Sequence, residues 1–218
     1  MNAEKKILGE RARNLNMRRE AVVAAAWAEF SKNGIESTSI QQIADRAGIG
    51  VASVYRYYAN KGALAVQAAI LNWRQFFAPL TATAMEESTG RSQLQALMTG
   101  YLNIFTSHPE GFLFFEDFDN YISHLEKRPE SMIEYEEEFA RDNEFMKGII
   151  TLGIEEGSFR TDIDLFFYNA MAGQAVSALA QKLLKRGHII RQDEAFSPLD
   201  QLKLLIETLI QNILIEDE

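Results

Sequence analysis

The chain of 218 residues contains no cysteine, which excludes disulfides, thiolate metal sites and a cysteine nucleophile. Histidine is scarce too: His108, His124 and His188 are the only three. None has a glutamate three residues ahead of it, so the Glu-x-x-His pair of di-iron helical bundles is missing. No glycine-rich phosphate loop, nucleophile elbow or zinc spacing occurs either. A helical enzyme is therefore the less favoured class, and neither a metal nor a cofactor is expected. There are only four prolines and no long polar tract, so little of the chain reads as disordered. No apolar run approaches the roughly 18 residues that span a bilayer. The stretch from Met1 to Arg19 is polar and charged, without the apolar centre of a secretory signal. The expectation is a cytoplasmic protein that does not engage membranes.

Strand periodicity is absent as well, and what is present is helical spacing almost throughout. Val22, Val23, Ala26, Trp27 and Phe30 form one apolar stripe, and Gly34 stands where a C-terminal cap belongs. This predicts a first helix over about 17–33. A helix from Lys61 to about Phe77, stopped near Pro79, follows two short segments. Pro109, Pro129 and Pro198 suit first helical positions, where a missing N–H costs nothing. They place further helices at about 91–107, 110–125, 129–156, 162–186 and 198–215, with Gly157 ending the longest and a loop over 187–196. The fold class is all-α, with about nine helices.

The net charge of −9 hides an asymmetry. Residues 1–75 carry 11 Lys and Arg against 6 Asp and Glu, a net of +5, whereas 76–218 carry 11 against 25, a net of −14. A basic segment beside an acidic one points to a polyanionic partner for the first. For the second, solvation of exposed helical faces accounts for most of the acidic residues.

The segment 38–58 carries the chemistry. Ser39 with Gln42 three residues on forms a capping-box pattern. Ile40, Ile43, Ala44 and Ala47 make an inward stripe, and Ala44 is small enough for a second helix to cross close by. Gly48 falls where the chain must turn with positive φ. Ile49 plugs the turn, and Val54 and Tyr58 face inward from a second short helix. Two short helices joined by a glycine-containing turn make a helix-turn-helix, whose second helix enters a DNA major groove. Outward lie Val51, Ala52, Ser53, Tyr55, Arg56 and Tyr57, and Lys61 follows at the start of the next helix. Hydroxyls and cations are the groups that bond phosphate oxygens. A generic pair of packed helices would show much of this pattern too. The capped helix before it and Asn60-Lys61 after it favour DNA.

The stretch from about Arg18 to Val66 resembles the DNA-binding domain of the TetR family of bacterial transcriptional regulators. The resemblance is carried by Ala28-x-Phe30 with Asn33-Gly34, by Thr38-Ser39-Ile40 with Ile43-Ala44 and Ala47-Gly48, and by Val54-Tyr55-x-Tyr57-Tyr58 leading into Lys61. Gly153 to Asp162 is similar to a turn before the penultimate helix of such proteins. The resemblance implies a DNA-binding domain over 1–66, ordered from about 17, and a ligand-sensing and dimerisation domain over 67–218. It implies a homodimer, a palindromic double-stranded operator and a small-molecule effector, with repression as the default. By position, Ser39, Tyr55, Tyr57 and Lys61 would hold phosphates, and Val51, Ala52, Ser53 and Arg56 would meet bases. Three departures from the family pattern stand out: Gly50 lacks a capping side chain, Val51 and Ala52 can read bases only by apolar contact, and Gly62 replaces a helix-former.

For the dimer, the two helices over about 162–186 and 198–215 are expected to pair with their symmetry mates. The first offers Ala170, Gly173, Ser177 and Ala178. The second offers Leu202, Leu205, Ile206, Leu209, Ile210 and Ile213, although both stripes would equally suit burial within one chain. An apolar effector pocket is expected from Trp73, Phe77, Phe105, Phe115, Phe118 and Tyr121. Glu116, Asp117 and Asp119 lie among these rings, a combination that suits a cationic ligand. The run Glu134, Glu136, Glu137, Glu138 reads as a solvated helix face, with Glu137 and Arg141 paired, rather than a metal site. A DNA-binding regulator without a small-molecule ligand is the principal alternative.

Overall fold

A computed structural model describes residues 2–186 and 196–215, and the side chains of Glu10 and of these residues from Arg13 onward. The expected loop over 187–196 lies, apart from Phe196, outside the described residues. The α-helices are α1 (Asn2–Asn33), α2 (Ile40–Ala47), α3 (Val51–Tyr57), α4 (Lys61–Asn72), α5 (Ala78–Met85), α6 (Gly90–Ser107), α7 (Pro109–Ser123), α8 (Met132–Glu155), α9 (Leu165–Arg186) and α10 (Pro198–Ile213). A π-helical turn, Trp73–Phe77, joins α4 to α5. With 61–85 taken as one helix, there are nine among the described residues, as the periodicity implies. No strand forms among them; Phe159 and Leu214 make one isolated antiparallel bridge.

Three boundaries differ from the periodicity. α1 begins at Asn2 rather than near Met17. Residues 2–16 have no apolar stripe, but Ala, Glu, Lys, Leu and Arg are strong helix formers and no proline interrupts them. Pro79 does not end a helix. The π-turn ahead of it re-phases the backbone bonding, so Pro79 stands in the first turn of α5, where no N–H is required. Pro129 precedes α8 by a turn, in which its carbonyl accepts from Met132 N–H at 3.1 Å.

The chain divides into two compact units, Met1–Asn72 with Asp117–Tyr135, and Trp73–Glu116 with Glu136–Glu218. In the first, Val22, Ala26, Phe30, Ile35, Ile43, Val54 and Leu64 are buried. Each of the larger ones contributes about 1.5–3 kcal/mol relative to exposure. Trp27 Nε1 donates to Asn72 Oδ1 at 2.9 Å, which answers the polar group of a fully buried asparagine. In the second unit, Leu94, Ile149, Ile150, Phe159, Leu165 and Ile213 form one core cluster. Here α6 starts so close to α8 that a Cβ on Gly90 would lie 2.5 Å from the Gly153 nitrogen.

Candidate nucleic-acid interface

The geometry of α2 and α3 follows from local chemistry. Ser39 has extended backbone, its Oγ accepts from Gln42 N–H at 3.2 Å, and Gln42 Oε1 accepts from Ser39 N–H at 2.8 Å. Two backbone donors at the helix start are thereby satisfied. At the other end Gly48 takes φ 67°, a left-handed conformation that costs a side-chain-bearing residue about 1–2 kcal/mol. Gly48 N–H donates to Asp45 O at 3.2 Å and Ile49 N–H to Ala44 O at 3.0 Å, so the last carbonyls of α2 are used as the chain turns. α3 starts at Gly50 without a side-chain cap, its carbonyl accepting from Ser53 N–H at 2.8 Å.

Val54 anchors α3 in the core, 1% exposed. Tyr58 is half-buried and donates its hydroxyl to Arg19 O at 3.2 Å. On the outer side Ala52, Tyr55 and Arg56 are exposed, and Val51, Ser53 and Tyr57 are half-buried. The Arg56 guanidinium lies 5.2 Å from the Tyr57 ring centre and donates to its hydroxyl at 3.3 Å. Arg56, with Arg18 beyond it, lowers the Tyr57 phenol below its ordinary value. Periodicity gave no sign of Arg18 at this place.

Two further predicted positions have structural partners. Lys61 Nζ donates to Glu36 O at 2.8 Å and Thr38 O at 3.3 Å, and stands 5.5 Å from the Tyr121 ring centre. It thus fixes the loop between α1 and α2. Asn60 Oδ1 caps α4 through Ala63 N–H at 2.8 Å. A Cβ on Gly62 would lie 3.2 Å from Asn60, Leu125 and Pro129 side-chain atoms, which explains the missing helix-former.

The second unit contains a connected set of aromatic rings. Trp73 stacks on Phe77 at 5.1 Å and meets Phe139 at 4.7 Å and Phe115 at 6.0 Å. Phe112 packs edge-on to Phe77, Tyr101 and Phe105. Polar groups enter at two points. The Tyr101 hydroxyl pairs with Ser177 Oγ at 3.0 Å, and burial pushes its phenol up to about 12 against the opposing pull of that bond. The Trp73 indole lies near the Asp142 carboxyl, whose Oδ2 is buried without a partner. Burial raises Asp142 to about 6, and the indole only partly offsets this. Asp142 lies three residues after Phe139, on the same helix face, which is the signal that would have found it.

Of the six residues expected around an effector, Trp73, Phe77, Phe105 and Phe115 belong to this set. Phe118 and Tyr121 belong to the first unit, where Phe118 packs on Tyr135 at 5.2 Å and Tyr121 on Lys61. Asp117 accepts from Ile35 N–H at 2.6 Å, Glu116 pairs with Lys185 at 2.8 Å, and Asp119 is exposed. Two of the three carboxylates, Asp117 and Glu116, are thus engaged by groups of the protein itself. Arg141 pairs with Glu138 at 2.5 Å rather than with Glu137. Burial opposes charge on Glu138, but Arg141 and Arg74 outweigh it and hold the carboxyl below its ordinary value.

A capped α2, a left-handed glycine turn and a short α3 with a polar outer face define a helix-turn-helix DNA-binding protein. The sequence model described as "Bacterial regulatory proteins, tetR family" matches residues 22–68, the span of this motif and its flanking helices. The chain is 26% identical over 149 residues to the HTH-type transcriptional repressor KstR2 of Rhodococcus jostii, covering 68% of this chain and 71% of that one. Its fold matches the structure of ketosteroid transcriptional regulator KstR2 of Mycobacterium tuberculosis, with a TM-score of 0.57, 19% identity, and coverage of 91% of this chain and 96% of that one. It also matches the transcriptional regulator FadR from Bacillus subtilis in complex with stearoyl-CoA, with a TM-score of 0.61, 18% identity, and coverage of 89% and 98%. Residues 22–68 thus match the DNA-binding segment of the tetR family of bacterial regulatory proteins, and the chain is a DNA-binding transcriptional regulator, like the regulators, not enzymes, that it resembles. Among the described residues, no helix is long and apolar enough to cross a membrane.

Proposed function

We propose that this protein is a cytoplasmic, homodimeric repressor that an apolar small molecule releases from a palindromic operator. Val51, Ala52, Ser53 and Arg56 meet base edges, while Ser39, Tyr55, Tyr57 and Lys61 lie toward phosphates. The observation that carries this reading is the outer face of α3, which presents Ala52, Tyr55 and Arg56 to solvent. Effector binding falls to the rings around Trp73, with Phe77, Phe105 and Phe115. Large flat or long-chain apolar ligands suit such walls. The KstR2 and FadR names, with their ketosteroid and stearoyl-CoA, point the same way for relatives. Release requires the effector to prefer the DNA-incompetent conformation, with a coupling typically of about 1–3 kcal/mol.

The dimer reading assigns α9 and α10 to the interface. Leu202, Ile206 and Ile213 are buried within their own chain, so the interface is left to other positions. Phe167 (74% exposed), Ala170, Met171 and Ala178 on α9 and Leu204 (65% exposed) on α10 form the uncovered row.

The test is fluorescence anisotropy on labelled DNA from upstream of the protein's own gene, with a scrambled duplex beside it. Selective binding to the upstream duplex, reversed by a steroid or an acyl-CoA, is the expected outcome. Selective binding that no such ligand reverses would leave a regulator without this effector class. Phe167→Glu is expected to yield monomers in sedimentation and to weaken operator binding.

A further inference from the structure

The helix-turn-helix is short of positive charge for a surface that must hold a polyanion. Residues 20–72 carry four cations, Lys32, Arg46, Arg56 and Lys61, and four carboxylates, Glu20, Glu29, Glu36 and Asp45, a net of zero. Two of the four cations are already engaged. Arg46 pairs with Glu29 at 2.9 Å, and Lys61 donates to two backbone carbonyls. Residues 1–19, by contrast, carry Lys5, Lys6, Arg11, Arg13, Arg18 and Arg19 against Glu4 and Glu10, a net of +4.

This basic stretch is part of α1, which starts at Asn2, twenty residues before the span matched by the family model. It joins the reading head at a defined place. Arg18 lies beside the Tyr57 hydroxyl at the end of α3, and the Arg19 carbonyl accepts from Tyr58. Arg13, Arg18 and Arg19 are exposed, as is every residue from Arg13 to Glu20. From Lys5 to Arg19 the helix extends about 21 Å at 1.5 Å per residue. Duplex DNA presents a charge about every 1.7 Å along its axis, so several phosphates fall within that length.

We propose that α1 up to Arg19 is a second DNA-binding surface, which holds phosphates flanking the base-reading helix without reading sequence. It rests on the DNA-binding assignment and supplies the charge that α2 and α3 lack. Neutralising phosphates releases counterions, so the number of phosphates held appears in the salt dependence of binding.

The experiment compares the full chain with the fourfold variant Lys5→Gln, Lys6→Gln, Arg11→Gln, Arg13→Gln and with Arg18→Gln. Anisotropy is measured on the upstream and scrambled duplexes across a salt series. For the fourfold variant, the slope of log K against log salt falls by about 0.9 for each phosphate that the protein ceases to neutralise. Both duplexes weaken together, so the ratio of their affinities stays within about twofold. The thermal midpoint of the variants matches wild type, because glutamine preserves helix propensity at these positions. Wild-type slopes in both variants, with DNA still bound, would overturn this surface alone. A loss confined to the upstream duplex would make it a base-reading element and overturn the phosphate assignment. A wild-type chain that binds neither duplex at low salt would remove the DNA reading and this surface with it.

Discussion

The backbone N–H of Ile35 donates to Asp117 Oδ2 at 2.6 Å, joining positions 82 residues apart. Ile35 directly follows Gly34, which leaves α1 with φ 82°, and its side chain is fully buried. A donor beyond a helix end, beside a buried side chain, needs a partner, and the carboxylate on α7 supplies it. Removing the acceptor should therefore loosen the entry to α2. Asp117→Leu is expected to destabilise the protein by about 1–3 kcal/mol in urea unfolding. Asp117→Asn retains an acceptor and should cost less. Equal stability of the leucine variant and wild type would sink this account.

Ser39 has a capping role that can be separated from any role at DNA. Ser39→Ala removes the bond to Gln42 N–H and should cost about 0.5–2 kcal/mol of stability. Ser39→Asp keeps a good cap but sets a negative charge at a position proposed to lie near phosphate. Stability close to wild type with weakened DNA binding is the expected pair of results. Undiminished binding by the aspartate variant would place Ser39 away from the duplex.

Arg56 is the exposed cation of α3. Arg56→Ala should cost about 1–3 kcal/mol on the operator if the side chain reads a base. The scrambled duplex should be affected much less. A uniform loss on both would reassign Arg56 to phosphate.

Asp142 sets a pH dependence in the second unit. Its carboxyl is raised from 3.8 to about 6 in the folded protein, so folding favours the protonated form. Below 3.8 the group is protonated in both states and adds no penalty. As pH rises from there through about 6, the folded state loses stability relative to the unfolded one, and the penalty is complete above that value. Asp142→Asn should therefore raise the thermal midpoint at pH 7.5 and leave it unchanged at pH 3.5. Asp142 is half-buried, so the gain is a few degrees at most. A lowered midpoint at pH 7.5 would mean that the ionised carboxylate is stabilising.

Gly90 permits the close approach of α6 to α8. A Cβ there would meet the backbone of Gly153 and Ile149 at 2.5–2.8 Å, and backbone atoms cannot turn aside as a side chain can. Gly90→Ala is expected to cost about 1–3 kcal/mol despite alanine's better helix propensity. Calorimetry showing a stabilised variant would contradict that packing.

The sequence by itself determined the all-α class and the helix-turn-helix, because both rest on local rules. Helical periodicity, the Ser39–Gln42 box and the positive φ of Gly48 each act within a few residues. The same locality made the amphipathic helices legible and the polar start of α1 invisible to periodicity. Tertiary structure decided what depends on groups distant in the chain. It brought Asp117–Tyr135 to the N-terminal helices, where Asp117 meets Ile35, Tyr121 meets Lys61, and Leu125 and Pro129 leave no room beside Gly62. It sorted the aromatic residues as well, setting Phe115 against Trp73 and Phe118 against Tyr135 although the two are neighbours on one helix. Side chains three apart on a helix share a face only roughly, and which neighbour each meets is settled by how whole helices pack.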